Sequence, residues 1–189
     1  MKKYLYLFLL LILATGLGAC KKEYDDKTLG PLEDSVADTP ITVPNQEFFE
    51  RYPVVTASVA KAPSPFTIIL QIPAEKGTIK EITKITTGAT GLAVMQSVDT
   101  LAFNYNRATK RTVPIAGNGT NQITFTSNLQ TYTAYRTRVG AANAGQPAVV
   151  APTTAFTDQN PNQLPFYFLI TLEDGRQLIS TAVRVRVVK

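Results

Sequence analysis

Few groups in this chain could carry chemistry. It has no histidine, so serine–histidine relays, imidazole metal sites and the commonest general base near neutral pH are missing from the outset. Six carboxylates follow residue 50: Glu75, Glu81, Asp99, Asp158, Glu173 and Asp174. A glycosidase needs two of them about 5 to 9.5 Å apart across a cleft. Glu173 and Asp174 stand beside Gly175 in a tight-turn composition, where solvated carboxylates are the simpler explanation. No phosphate loop, dinucleotide fingerprint or calcium loop is present. The sequence therefore predicts a protein without catalytic residues, metal ligands or cofactor.

Two constellations remain that could bind. Arg136 with Arg138, and Arg184 with Arg186, are spaced to share a strand face, and neighbouring strands would join them into a patch for phosphate or carboxylate groups. Tyr132 and Tyr135, with Tyr105 and Tyr167, could offer stacking surfaces for a sugar. The competing readings are solvated sheet faces for the arginines and core packing for the tyrosines. Charge is divided along the chain. Residues 21–50 carry three lysines against eight carboxylates, whereas residues 51–189 carry fourteen Lys and Arg against six.

These residues need elements to hold them, and the pattern after residue 53 is β. Phe66, Ile68, Leu70 and Ile72 alternate with Thr67, Ile69 and Gln71. Leu101, Phe103 and Tyr105 alternate in the same way, as do Ile123 and Phe125. Further strands are expected near 54–59, 92–98, 112–115 and 131–139. Ile79, Ile82 and Ile85 recur every three residues, which fits a short helix or a bulged strand; the threonines of the segment favour the strand. Phe166 to Leu172 reads as a central strand. Asp174-Gly175 turns the chain back through Leu178 and Ile179 toward Val183, Val185 and Val187. Residues 140–165 are rich in Ala, Gly, Pro, Asn and Gln and read as a long loop with a short edge strand around 147–150. Many short strands and no clear long helix predict an all-β fold, a single antiparallel immunoglobulin-like β-sandwich.

The beginning of the chain differs from the rest. Lys2 and Lys3 precede an apolar run from Tyr4 to Ala19, too short to span a bilayer and flanked like a cleavable leader. Leu17, Gly18 and Ala19 then lead into Cys20, the sole cysteine. This run resembles the bacterial lipobox, which implies a diacylglyceryl group on Cys20 and removal of the leader before it. The charged residues 21–26 resemble export signals of Bacteroidetes surface lipoproteins, and position 21 is not the aspartate of the inner-membrane retention signal. The implied organisation is a signal peptide at 1–19, a lipidated cysteine and flexible acidic tether at 20–50 (with 21–45 as the spacer proper), and a β-sandwich domain at 51–189.

Leu129, Thr133, Tyr135, Val139, Ala141, Asn143 and Gly145 also resemble one strand and the following loop of fibronectin type III domains. Ser35 and Thr100 lie in triplets similar to a Bacteroidetes O-glycosylation pattern. Together these resemblances imply an outer-membrane, cell-surface lipoprotein displaying a non-catalytic binding or accessory module. Its expected partners are the membrane, through the lipid anchor, and a glycan or a surface uptake complex; nucleic acid is not among them. The alternative is a structural, adhesive subunit similar to the fimbrillins.

Overall fold

Alternation of apolar and polar residues does give strands, but they assemble differently from the expectation. The computed structural model describes residues 39–88, 90–97, 99–140 and 162–189, all within one unit, Thr39–Lys189. Leu17–Cys20, Ser35 and the expected edge strand at 147–150 lie outside the described residues. The strands are β1 (Phe48–Phe49), β2 (Pro53–Ser58), β3 (Pro65–Gln71), β4 (Ile79–Thr87), β5 (Tyr105–Asn106) and β6 (Arg111–Thr112). After them come β7 (Ile115–Ala116), β8 (Gln122–Asn128), β9 (Gln163–Leu172), β10 (Gln177–Ile179) and β11 (Val183–Val188). Two α-helices join them among the described residues, α1 (Gly91–Met95) and α2 (Leu129–Val139).

A seven-stranded sheet runs β1-β2-β11-β9-β4-β7, with β10 also paired to β9. Its β2–β11 pair is parallel, from Arg184 opposite Val54 to Val188 opposite Ser58, and the other pairs are antiparallel. β3 and β8 form a separate two-stranded ribbon, and β5 and β6 a small hairpin. The single antiparallel immunoglobulin-like sandwich is therefore corrected to a mixed fold, a half-barrel sheet with two small sheets and helices. The sandwich-borne binding or accessory module, for a glycan or an uptake complex, loses its architectural basis with that correction, and so does the fimbrillin-like alternative.

Two expected strands are helical, for local reasons. Residues 131–139 lie in α2, where the side chain of Asn128 caps the first turn by accepting from the Thr131 amide at 2.7 Å. In the helix, the hydroxyls of Thr133 and Thr137 donate to the carbonyls of Leu129 and Thr133, one turn earlier, at 2.9 and 3.1 Å. Residues 92–95 of the expected 92–98 strand lie in α1. The Leu101–Tyr105 alternation belongs to a 3-10 turn, Asp99–Leu101, followed by the short β5.

Other expectations are met. β4 contains register shifts between Ile79 and Glu81 and between Ile82 and Lys84. Each inserts a residue, so a three-residue spacing keeps Ile79, Ile82 and Ile85 on one buried face. The Asp174-Gly175 turn forms, with Gly175 at φ 86°.

The core lies between the inner face of the large sheet and the β3–β8 ribbon. Phe66, Ile68 and Leu70 of β3 and Ile123 and Phe125 of β8 meet Leu164, Phe166, Phe168 and Ile170 of β9. Phe125 and Phe168 pack edge to face with centroids 5.4 Å apart. Fully burying a phenylalanine contributes about 1.5–3 kcal/mol, so Phe166 and Phe168 rank among the larger single contributions. Leu129, Tyr132 and Tyr135, spaced by three along α2, also turn their side chains inward.

On the sheet's opposite face, the Thr86 hydroxyl donates to the carbonyl of Gly91 in α1 at 2.8 Å. A Cβ at Gly91 would lie 2.5 Å from the ring of Tyr167, so only glycine allows this approach without movement. Lys84, 7% exposed at its side chain, donates to the Ser97 carbonyl and pairs with Asp99 at 3.1 Å.

Two strand edges are closed by asparagine side chains. Asn45 accepts from the amide of Ile69 and donates to the carbonyl of Thr67, at 2.9 and 2.8 Å. Asn104 repeats this on β4, accepting from Ile85 at 3.0 Å and donating to Thr83 at 3.2 Å. Each primary amide occupies the hydrogen-bonding positions of a neighbouring strand.

Candidate functional site

The described structure concentrates charge and aromatic surface at one end of β11. Val183, Val185 and Val187 face the core, so Arg184 and Arg186 alternate onto the other side of the sheet. The Arg184 guanidinium donates to the Gln163 side-chain carbonyl at 2.9 Å and lies 4.6 Å from the ring centroid of Tyr52. Gln163 in turn donates to Glu50 at 3.2 Å, and Glu50 reaches Arg186 at 3.7 Å. Arg186 is only 4% exposed and sits 5.9 Å from the Phe48 ring centroid. Burial raises the Tyr167 phenol above its ordinary pKa, the neighbouring Tyr52 adds to this, and Arg184 opposes it.

The tight connection from β1 to β2 presents Glu50, Arg51 and Tyr52 together. Phe48 pairs with Val54, and Glu47 ties the turn down by accepting from the Thr56 amide and hydroxyl at 3.0 and 2.6 Å. Beside this turn runs a groove of about 410 Å³. Ile41, Val43, Pro44 and Pro53 supply its apolar wall, and Arg51 and Tyr52 also line it. The Arg51 guanidinium lies 5.6 Å from the Tyr52 centroid. It has no carboxylate partner among the described residues, whereas Arg184 and Arg186 are both engaged. The volume falls within the range of small-molecule sites.

The two arginine pairs expected to join in one patch are divided. Arg136 and Arg138 lie on α2, which is not a neighbour of β11 in any sheet. Arg138 lies 5.2 and 5.6 Å from the ring centroids of Tyr135 and Tyr105, and it donates to the carbonyls of Thr100 and Ala102. It thus acts as a clamp on the 3-10 turn. Tyr132 and Tyr135 are buried, and burial raises both phenols above their ordinary pKa values. Neither can serve as a stacking platform. Thr100 is exposed in the 3-10 turn.

Glu50, Arg51, Tyr52 and Gln163 escaped sequence reasoning, because strand pairing brings residues 50–52 to residues 163 and 184. Their one local signal is the aromatic pair Phe48-Phe49 just before the turn. Compared with known proteins, the chain matches no family model and no curated sequence. The resemblances to Bacteroidetes surface lipoproteins and to fibronectin type III domains therefore gain no family support, and the fold contradicts the latter.

Proposed function

We propose that this chain is a membrane-held binding domain, fixed at the outer membrane by lipid on Cys20, whose groove takes a small carboxylate with an apolar body. The observation that carries the reading is Arg51. A guanidinium without an acidic partner among the described residues stacks on Tyr52 beside an apolar wall. Its planar fork suits a carboxylate, and stacking on the ring restricts its orientation at little solvation cost. The wall of Ile41, Val43 and Pro44 would take the apolar part of the same ligand. The reading requires no bond-making step. The two carboxylates next to groove residues in sequence are already engaged, Glu50 with Gln163 and Arg186 and Glu47 with Thr56.

The groove is tested by ligand-observed NMR with benzoate, phenylacetate and octanoate, set against benzyl alcohol and octanol. The carboxylates bind and the alcohols do not, and Arg51→Gln weakens the carboxylates by about tenfold or more, the scale of a lost charge-assisted hydrogen bond. Equal binding by the variant, or by acids and alcohols alike, sinks the reading. The anchor is tested separately by labelling cells with radioactive palmitate. Label enters the wild-type chain and is lost in Cys20→Ser; label retained by that variant would remove the anchor.

A further inference from the structure

Between Asp99 and Asp158 the chain carries five Lys and Arg and no carboxylate. Three of the five cations, Arg107, Lys110 and Arg111, fall on the β5–β6 hairpin, where every residue from 106 to 111 is exposed. The hairpin is built to hold them out. Tyr105 pairs with Thr112 and Asn106 with Arg111. The Asn106 side chain accepts from the amides of Ala108 and Thr109 at 2.8 and 3.3 Å, which fixes the loop. Lys110 adopts a left-handed φ of 54°.

None of the three has a carboxylate partner among the described residues. The 3-10 turn beside the hairpin carries Asp99, but that carboxylate is paired with Lys84. Arg138 adds a fourth positive group, whose charged form is disfavoured first by burial and further by the nearby Arg107. Val113, 49% exposed, stands at the base of the hairpin, two residues after Arg111 and opposite Asn104.

We infer that this basic hairpin is a docking finger for the anionic phosphate surface of a lipid bilayer. Clustered cations without compensating acids attract such a surface, and the exposed valine suits the headgroup boundary. The inference rests on the membrane tether for the choice of surface. Cys20 precedes Thr39 by nineteen residues, which even fully extended reach no more than roughly 65 Å, so a bilayer is the anionic surface within range.

The test uses the mature chain from residue 20 with Cys20→Ser, which carries no lipid, so a failed anchor and a failed finger give separate results. Sedimentation is measured with vesicles of phosphatidylcholine alone and with about one-third phosphatidylglycerol, at low and high salt. The chain binds the anionic vesicles, salt weakens binding, and Arg107→Gln/Lys110→Gln/Arg111→Gln loses at least tenfold, given roughly fivefold per cation near the surface. A charge-matched control, Lys61→Gln/Lys80→Gln/Lys189→Gln, removes three other exposed cations and loses less than about threefold. Equal losses in the two variants overturn the finger, as does absence of binding by a parent chain whose circular dichroism shows it folded. Competition by millimolar inorganic phosphate at constant ionic strength would reassign the cations to free phosphate and overturn the bilayer.

Discussion

Asn104 shows how much one side chain contributes when it replaces a strand. Besides bonding Ile85 and Thr83, its amide donates to the Val113 carbonyl at 2.9 Å, so it joins β4 to the segment before β7. Asn104→Ala removes three hydrogen bonds and should lower stability by about 1–3 kcal/mol, read as a lower urea midpoint with unchanged slope. A loss under about 0.5 kcal/mol would mean that water replaces the amide without cost. Asn45→Ala should behave similarly, since it makes the equivalent pair of bonds on β3. Neither role was legible in sequence. Asn45 falls at the end of the expected spacer and Asn104 at an alternate position of the expected 101–105 strand, and the partners are 22 to 24 residues away for Asn45 and 9 to 21 for Asn104. Arg184 and Arg186 were legible as a pair on one face, because alternation is local. Their meeting with Tyr52 and Glu50 was not.

At the scale of elements, legibility followed the range of the forces involved. β3 and β8 alternate cleanly, each with one face in the core, and sequence periodicity finds them, whereas β9 shows in the sequence as a run of apolar residues from Phe166 to Leu172. The three isoleucines of β4 were also informative, because a bulge changes the spacing in a countable way. The expected strand at 131–139 is instead α2, whose threonines carry only a weak preference against helix that tertiary packing overrides. Tyr132 and Tyr135, buried at helical spacing, together with the Asn128 cap, were the signals to weigh against them. The crossing of β7 and β4 shows another hidden demand. A Cβ at Gly117 would stand 2.1 Å from the Ile79 carbonyl oxygen, so this approach depends on a hydrogen atom where other residues carry a side chain.

For the whole molecule, the buried phenols predict a one-sided response to pH. Tyr132 and Tyr135 have pKa values raised by burial, with the neighbouring arginines opposing the shift. A raised value means that the folded state keeps the proton that the unfolded chain releases near pH 10. Their contribution is complete below that pH and is lost as pH rises above it, at up to about 1.4 kcal/mol per unit for each tyrosine. Urea midpoints should be level from pH 7 to about 9 and fall beyond about 10, with a shallower fall in Tyr132→Phe. A variant that falls as steeply as wild type would assign the alkaline loss to other groups.

The position of β11 has a consequence for synthesis. Residues 183–188 lie between β2 and β9, so the parallel pairing that joins the first half of the large sheet to its centre uses the last strand described. Until those six residues have been made, β2 has no partner on that side. At about 5–20 residues per second, a ribosome would spend several seconds on the chain from β2 to β11 before that pairing could form. The large sheet would therefore join its β1–β2 edge to its centre only after β11, the last strand described, became available.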